Sequence, residues 1–275
     1  MSASATYGRG GTILEASGVW LTLGQNLILR DVNVEIKDVQ RPGHVTGQVV
    51  GMLGPSGIGK TRLFRILAGL DPPSRGSVRL GEKRVPVQRG MVGVVAQRYP
   101  LLEHRTVLGN LVVAGQQAGL SREEARDKAF GYLKRFGLED RARLYPCQLS
   151  GGQQQRVAIA QQVMCSEHFL LMDEPFSGLD PLAVAEVSEI IAEVADLHEL
   201  NTIIVVTHDI AAAVEAADTL WLMGRDREGG KVVPGARVQE TYDLIERGLT
   251  WRKDIRSSPA FADVVREIHA RFPTL

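Results

Sequence analysis

The segment Gly54, Pro55, Ser56, Gly57, Ile58, Gly59, Lys60, Thr61 constrains this chain more than any other. It fits the spacing G-x-x-x-x-G-K-[ST], and its flanks make the fit informative. Before it, Gln48-Val49-Val50-Gly51-Met52-Leu53 is an apolar run of strand length. After it, residues 62–70 fit a helix that Asp71-Pro72-Pro73 stops. Strand, glycine-rich turn and helix in that order make a loop whose backbone N–H groups curl toward a polyphosphate, with the helix dipole adding positive potential. Lys60 would neutralise charge on the β- and γ-phosphates, and the Thr61 hydroxyl would ligate Mg²⁺. A glycine-rich turn with a chance lysine does not account for both flanks.

Further strand-like runs at 168–172 and 203–207 are each followed by a helical pattern. Strands alternating with helices imply a parallel sheet covered on both faces. The first of these runs, Phe169-Leu170-Leu171-Met172, ends in Asp173-Glu174. Ligands of open α/β sheets bind beyond the carboxyl ends of the strands. Asp173 can therefore hold Mg²⁺, directly or through water, and Glu174 can polarise an attacking water. Apolar strands often end in a surface acid; the phosphate loop in the same chain gives these two acids a task.

A second anion-binding helix start is written in Leu149, Ser150, Gly151, Gly152 and Gln153, followed by Gln154-Gln155-Arg156. A serine and two glycines leave the backbone donors unobstructed. One nucleotide does not need two such loops from one chain, so this one is expected to cap the nucleotide of a second copy. In isolation the same residues read as an ordinary helix-capping serine with flexible glycines.

Residues 13–36 read as short strands with turns, and Ile28-Leu29-Arg30-Asp31-Val32-Asn33-Val34-Glu35-Ile36 alternates as a half-buried antiparallel strand does. Residues 37–47 are polar, contain Pro42 and Gly43, and read as a surface loop inserted before the phosphate-loop strand. Residues 98–148 look like a helical insertion. Within them Ser121-Arg122-Glu123-Glu124 has the form of a capping box, and Phe130, Tyr132, Leu133 and Phe136 follow at helical spacing up to Gly137.

Bulk properties exclude several classes. Lys+Arg and Asp+Glu both total 32, so no basic excess argues for nucleic acid. Cys147 and Cys165 fit neither a disulfide framework nor a metal cluster, and read as reduced thiols of a cytosolic protein. The polar, Gly-rich start has no signal-peptide core, and no apolar stretch approaches the ~20 residues that span a bilayer. Work at a membrane would pass through a partner.

The order phosphate loop, Gln97, residues 149–153, Asp173-Glu174, Gly178-Leu179-Asp180 and His208 resembles the ATP-binding cassette (ABC) ATPases over about residues 13–225. The resemblance implies an α/β fold: a P-loop NTPase (RecA-like) core, an antiparallel β subdomain and an inserted α-helical subdomain at about 98–165. It places the ATPase domain at 1–225 and a short C-terminal helical extension at 226–275. It also implies a head-to-tail dimer, homodimeric or with a second ABC ATPase, holding two ATP between phosphate loops and signature loops. By that resemblance Gln97 links Mg²⁺ and water to the helical subdomain, and Glu174 is the general base. His208 contacts the γ-phosphate, and Asp180 couples the two sites.

Two positions depart from the family pattern. Leu23 stands where an aromatic usually stacks on adenine, leaving Trp20 or a looser grip, and Gln161 stands where an arginine is usual. The single cassette with Ile245-Glu246-Arg247-Gly248-Leu249-Thr250-Trp251-Arg252 and Pro259-Ala260-Phe261 behind it resembles the ATPases of nitrate/sulfonate/taurine importers. That implies integral membrane permeases as partners, a substrate-binding protein indirectly, and a peripheral place at the cytoplasmic face of the inner membrane. A groove near Gln97 and Tyr99-Pro100-Leu101-Leu102 would receive a short permease helix. ATPases of an exporter or lipid-transport complex, and non-transport ABC ATPases, would use the same catalytic residues.

Overall fold

Alternation decides the first third of the chain. In β1 (Gly8–Leu23) and β2 (Asn26–Gln40), Val32, Val34 and Ile36 are buried while Asp31, Asn33, Glu35 and Lys37 are exposed. A computed structural model describes residues 7–40, 47–96, 100–166, 168–198, 201–251 and 254–275. The two strands pair antiparallel along their length, with register shifts that mark bulges. They are thus two long strands rather than the short strands expected, because the bulges absorb the breaks in alternation. Lys37 to Gln40, expected in a loop, belong to β2, where Val39 is 3% exposed and pairs with Arg9. The rest of that expected loop, 41–46, lies outside the described residues.

The central strand is β3 (Gln48–Leu53), buried at every position. It leads through the phosphate loop into α1 (Lys60–Leu67). The chain then forms β4 (Arg75–Leu80), β5 (Val85–Pro86) and β6 (Gly93–Val95). Three helices follow: α2 (Val107–Gln117), α3 (Arg122–Arg135) and α4 (Gly151–Cys165). The capping box foreseen at Ser121 and Glu124 is present, each side chain bonding the other's backbone N–H.

Next come β7 (Phe169–Asp173), α5 (Pro181–Ala195), β8 (Thr202–Val206), α6 (Ile210–Ala216), β9 (Thr219–Glu228), β10 (Lys231–Asp243) and α7 (Pro259–Arg271). The ten strands form one sheet in the order β5-β4-β1-β2-β10-β9-β3-β8-β7-β6. Its β9-β3-β8-β7-β6 half is parallel, and the β5-β4-β1-β2 edge is antiparallel. One apolar cluster packs α1 against the β1–β2 side. The larger one joins the helical insertion, α5, α6 and α7 to the other face. Covering both faces is what lets β3 and β8 be buried at every position and apolar after their first residues, Gln48 and Thr202.

The segment after 225 corrects an expectation. It is not simply helical: β9 and β10 form a hairpin across Gly229-Gly230, and among the described residues after it α7 is the one α-helix, flanked by short 3-10 turns. Phe261, Val264 and Ile268 of α7 are buried, and α7 packs on α6. Among the described residues no helix is long and apolar enough to cross a membrane.

Candidate functional site

The strand order sets β8 between β3 and β7, so three connecting loops meet at one carboxyl edge of the sheet. From β3 comes the phosphate loop. Gly59 is the N-cap of α1 at φ 115°, a conformation open to glycine and costly for other residues. No side chain caps the first turn and no acid stands in it, so the backbone donors there remain available to an anion. Lys60 is buried, and its Nζ donates to the carbonyls of Gly54 (2.7 Å) and Pro55 (3.1 Å), curling the loop around the ammonium. Burial pushes the Lys60 ammonium down, and the nearby Glu174 and Asp173 carboxylates push it back up.

From β7 come Asp173 and Glu174. Burial and the neighbouring Glu174 raise the Asp173 carboxyl above its ordinary value; a hydrogen bond from the Thr61 hydroxyl and the charge of Lys60 oppose this. Thr61 and Asp173 thus bring two hard oxygens together beside the phosphate loop. Among the described residues no group of three or more His, Cys, Asp or Glu could hold a metal. A hydroxyl and a carboxylate are the hard oxygen donors that Mg²⁺ takes, one or two from protein together with waters and substrate phosphates.

From β8 come Thr207 and His208. Thr207 is fully buried, and its N–H donates to Met52 O at 3.1 Å. His208 is exposed; its Nδ1–H donates to Glu174 Oε2 at 2.8 Å, and its backbone N–H reaches the same oxygen at 3.3 Å. Glu174 itself sits at φ 53°, left-handed for a residue with a side chain, and its N–H donates to Val206 O at 2.7 Å. Lys60, Thr61, Asp173, Glu174 and His208 therefore lie together at this edge, linked by the charge and hydrogen-bond interactions above.

Residues 150–153 stand apart from that set. Ser150 and Gln153 make a capping box at the start of α4, with bonds of 3.0 and 3.3 Å. Gln154 reaches back to the carbonyls of Pro146 and Leu149. Among the described residues no hydrogen bond joins 150–153 to the phosphate loop. Asp180 caps α5, its Oδ1 accepting from the N–H groups of Leu182 and Ala183. Gln97, Arg98 and Tyr99 lie outside the described residues.

Three buried polar residues escaped the sequence reading. Asn110 is fully buried in α2, accepts from Leu102 N–H, and donates to the carbonyls of Leu102, Arg105 and Thr106. It shapes the loop that carries Leu101 and Leu102. Gln155, 1% exposed, donates to Pro175 O at 3.0 Å. Asp218 is buried and accepts from Val49 N–H at 2.8 Å at the base of β3. For Asn110 and Asp218 the usable signal was a lone amide or acid inside an apolar run, as in Leu108-Gly109-Asn110-Leu111-Val112; Gln155, in a run of three glutamines, carries none.

The departures are also placed. Leu23 is 40% exposed at the end of β1, opposite Asn26. The hairpin lies beside the phosphate loop: a Cβ on Gly59 would fall 3.2 and 3.3 Å from side-chain atoms of Leu29 and Ile28. Trp20 is half-buried and pairs with Arg75. Near Gln161 it is Gln162 that ties α4 to the sheet, its Oε1 accepting from Val94 N–H at 3.1 Å.

Comparison with known proteins agrees with this geometry. Residues 44–177 match the family model described as ABC transporter. The chain is 37% identical over 252 residues to the L-cystine import ATP-binding protein TcyC of Bacillus subtilis (strain 168), covering 87% of this chain and 96% of that one. It is 34% identical over 257 residues to the methionine import ATP-binding protein MetN 2 of Lactiplantibacillus plantarum, covering 89% and 71%. These two are named for cystine and methionine, not for the nitrate, sulfonate or taurine that the C-terminal segments suggest. The dimeric structure of MJ0796, a bacterial ABC transporter cassette, superposes with a TM-score of 0.66 at 28% identity, covering 84% of this chain and 99% of that one. The chain belongs to the ABC transporter family, as an ATP-binding subunit whose ATPase activity is coupled to transport.

Proposed function

We propose that this subunit powers uptake of a small amino-acid-like solute by closing as a dimer around two ATP. Each ATP would lie between the phosphate loop of one copy and Ser150, Gly151, Gly152 and Gln153 of the other. The observation that carries this reading is the convergence of Lys60, Thr61, Asp173, Glu174 and His208 at the carboxyl ends of three adjacent strands. The cargo class rests on the cystine and methionine importers among the relatives. The dimer rests on the dimeric cassette and on a second anion-binding helix start that the chain's own phosphate loop does not use.

In this reading the backbone N–H groups of Gly57, Gly59, Lys60 and Thr61 cradle phosphate oxygens, and Lys60 turns from the Gly54 and Pro55 carbonyls toward them. Thr61 and Asp173 would hold Mg²⁺, which when bound would neutralise phosphate charge. Gln97 adds a third contact to the metal and the attacking water. His208, exposed at the end of β8, turns its N–H from Glu174 to the γ-phosphate, and Glu174 Oε2 is then free to accept a proton from water. Asp180 and the exposed Ser177 and Gly178 face the second copy. Loss of the γ-phosphate contacts reopens the dimer, a population shift driven by differential affinity.

The loop at Pro100, Leu101 and Leu102, pinned by Asn110, offers the docking groove for a permease helix. A pair of permeases holds the ATPase at the cytoplasmic face of the membrane, and a substrate-binding protein delivers the cargo. Glu174→Gln should keep Mg-ATP binding, accumulate as a dimer on size-exclusion chromatography, and lose on the order of 10²-fold or more in turnover. Steady-state hydrolysis at the wild-type rate would refute Glu174 as the base.

A further inference from the structure

We propose that Gln155 is a positioning residue that couples the signature helix α4 to the backbone of the catalytic carboxylate Glu174. This deepens the reading of Glu174 as the base and rests on it. Gln155 is buried one turn into α4, where an apolar residue would be expected, and its Nε2 spans to Pro175 O at 3.0 Å. Among the described residues its buried Oε1 has no hydrogen-bond partner. An unpaired buried acceptor destabilises the fold, so the side chain is poorly explained as a stabiliser.

What it holds is unusual. Glu174 has φ 53°, a conformation that persists in a residue with a side chain only when its surroundings fix it. One side is fixed by Glu174 N–H to Val206 O at 2.7 Å, and the turn beyond by Ser177 N–H to Glu174 O at 3.2 Å. Pro175 has no N–H, so its carbonyl is the only backbone hydrogen-bonding group it offers, and Gln155 takes it. Buried Phe176 follows directly and anchors the segment in the larger core. Gln155 lies four residues after Gly151 on the same helix, so Ser150 and Gly151 move with it as one body. A displacement of α4 by the second copy pulls on Pro175 and is felt at the Glu174 backbone.

Gln155→Met keeps the volume and removes both the donor and the orphaned acceptor. Because the variant exchanges one unpaired acceptor, Gln155 Oε1, for another, Pro175 O, the expected result is an unfolding midpoint close to wild type, a KM for ATP within about twofold, and a kcat reduced about tenfold or more. Hydrogen exchange at the Glu174 and Ser177 amides should quicken at least about tenfold, with the amides of β3 unchanged. Wild-type kcat with unchanged exchange at those amides overturns the coupling. A kcat loss matched by a lowered midpoint and faster exchange throughout the sheet overturns it too, since that marks a structural role. Should Gln155→Met not fold, Gln155→Leu serves with the same readouts. The exchange result does not depend on Glu174 being the base, so failure of that reading, seen as wild-type turnover in Glu174→Gln, is separately visible.

Discussion

Replacing Asp218 by Asn should flatten a fall in stability that the chain shows between about pH 4 and pH 7. Asp218 lies at the join of β3 and β9, where its N–H donates to Val49 O (2.7 Å) and its Oδ2 accepts from Val49 N–H (2.8 Å). Burial raises its carboxyl from 3.8 to about 7; the bond from Val49 opposes the shift, and the charges of Asp196 and Asp243 add to it. Between those two values the native state holds a proton that the unfolded chain has released. The free energy of unfolding therefore falls as pH rises from about 4 to about 7 and is level above. At about 1.4 kcal/mol per pH unit over about three units, the ceiling is about 4 kcal/mol.

Asn keeps the acceptor for Val49 N–H and does not titrate, but its NH₂ adds a buried donor costing about 1–3 kcal/mol at every pH. At pH 5 the variant should thus be less stable than wild type. By pH 8 the gap should close or reverse. Urea unfolding at pH 5, 6.5 and 8, with m-values compared, measures this directly. A wild-type-minus-variant difference constant to about 0.5 kcal/mol across that range would show that Asp218 does not titrate as the geometry requires.

Three further outcomes are expected. Ser150→Ala removes the cap of α4, a loss of about 1 kcal/mol, and should lower turnover while leaving ATP affinity of the isolated chain within about twofold; equilibrium nucleotide titration beside steady-state ATPase separates the two. Gly47→Ala should unfold the chain or lower its thermal midpoint by many degrees, because a Cβ there would fall 2.1 Å from Ala195 O; circular-dichroism melting reads it. Iodoacetamide should alkylate the exposed Cys147 well before Cys165, whose thiol is half-buried and pushed up by burial; peptide mass mapping over time gives the order.

The legible parts of this chain are those where the chemistry is local. Residues 54–61 declare a phosphate loop because strand, glycines, lysine and helix are contiguous, and Ser121 with Glu124 declares a helix start for the same reason. β10 is not legible. Pro234 and Gly235 interrupt it, and the register shift between Val232 and Ala236 shows a bulge accommodating both. α2 is hard to see because Val107, Gly109, Val112, Val113 and Gly115 are weak helix formers, so its helicity comes from packing against α3 and α4. Gln155 and Asp218 escape because their partners are distant in sequence, whereas Asn110 escapes although its partners lie within eight positions, because they are backbone groups that no side-chain pattern marks. Gln155 meets Pro175, and Asp218 meets Val49 169 positions away.

The two anion-binding helix starts are finished differently, and the difference assigns their tasks. α1 begins at a glycine with no side-chain cap, and the Lys60 ammonium is turned onto the loop's own carbonyls. Its backbone donors gain most when a phosphate arrives, so the larger share of ATP affinity should reside there. α4 begins with Ser150 and Gln153 already satisfying each other's backbone. That start is stable while exposed on a separate subunit, and a phosphate must compete with bonds already made. In the proposed dimer the phosphate loop would thus bind already in the monomer, and α4 would add its smaller increment only when a second copy brings it to an already bound nucleotide. An increment that depends on the γ-phosphate suffices to bias closure, because what drives a switch is the difference in affinity between its two states, not the total.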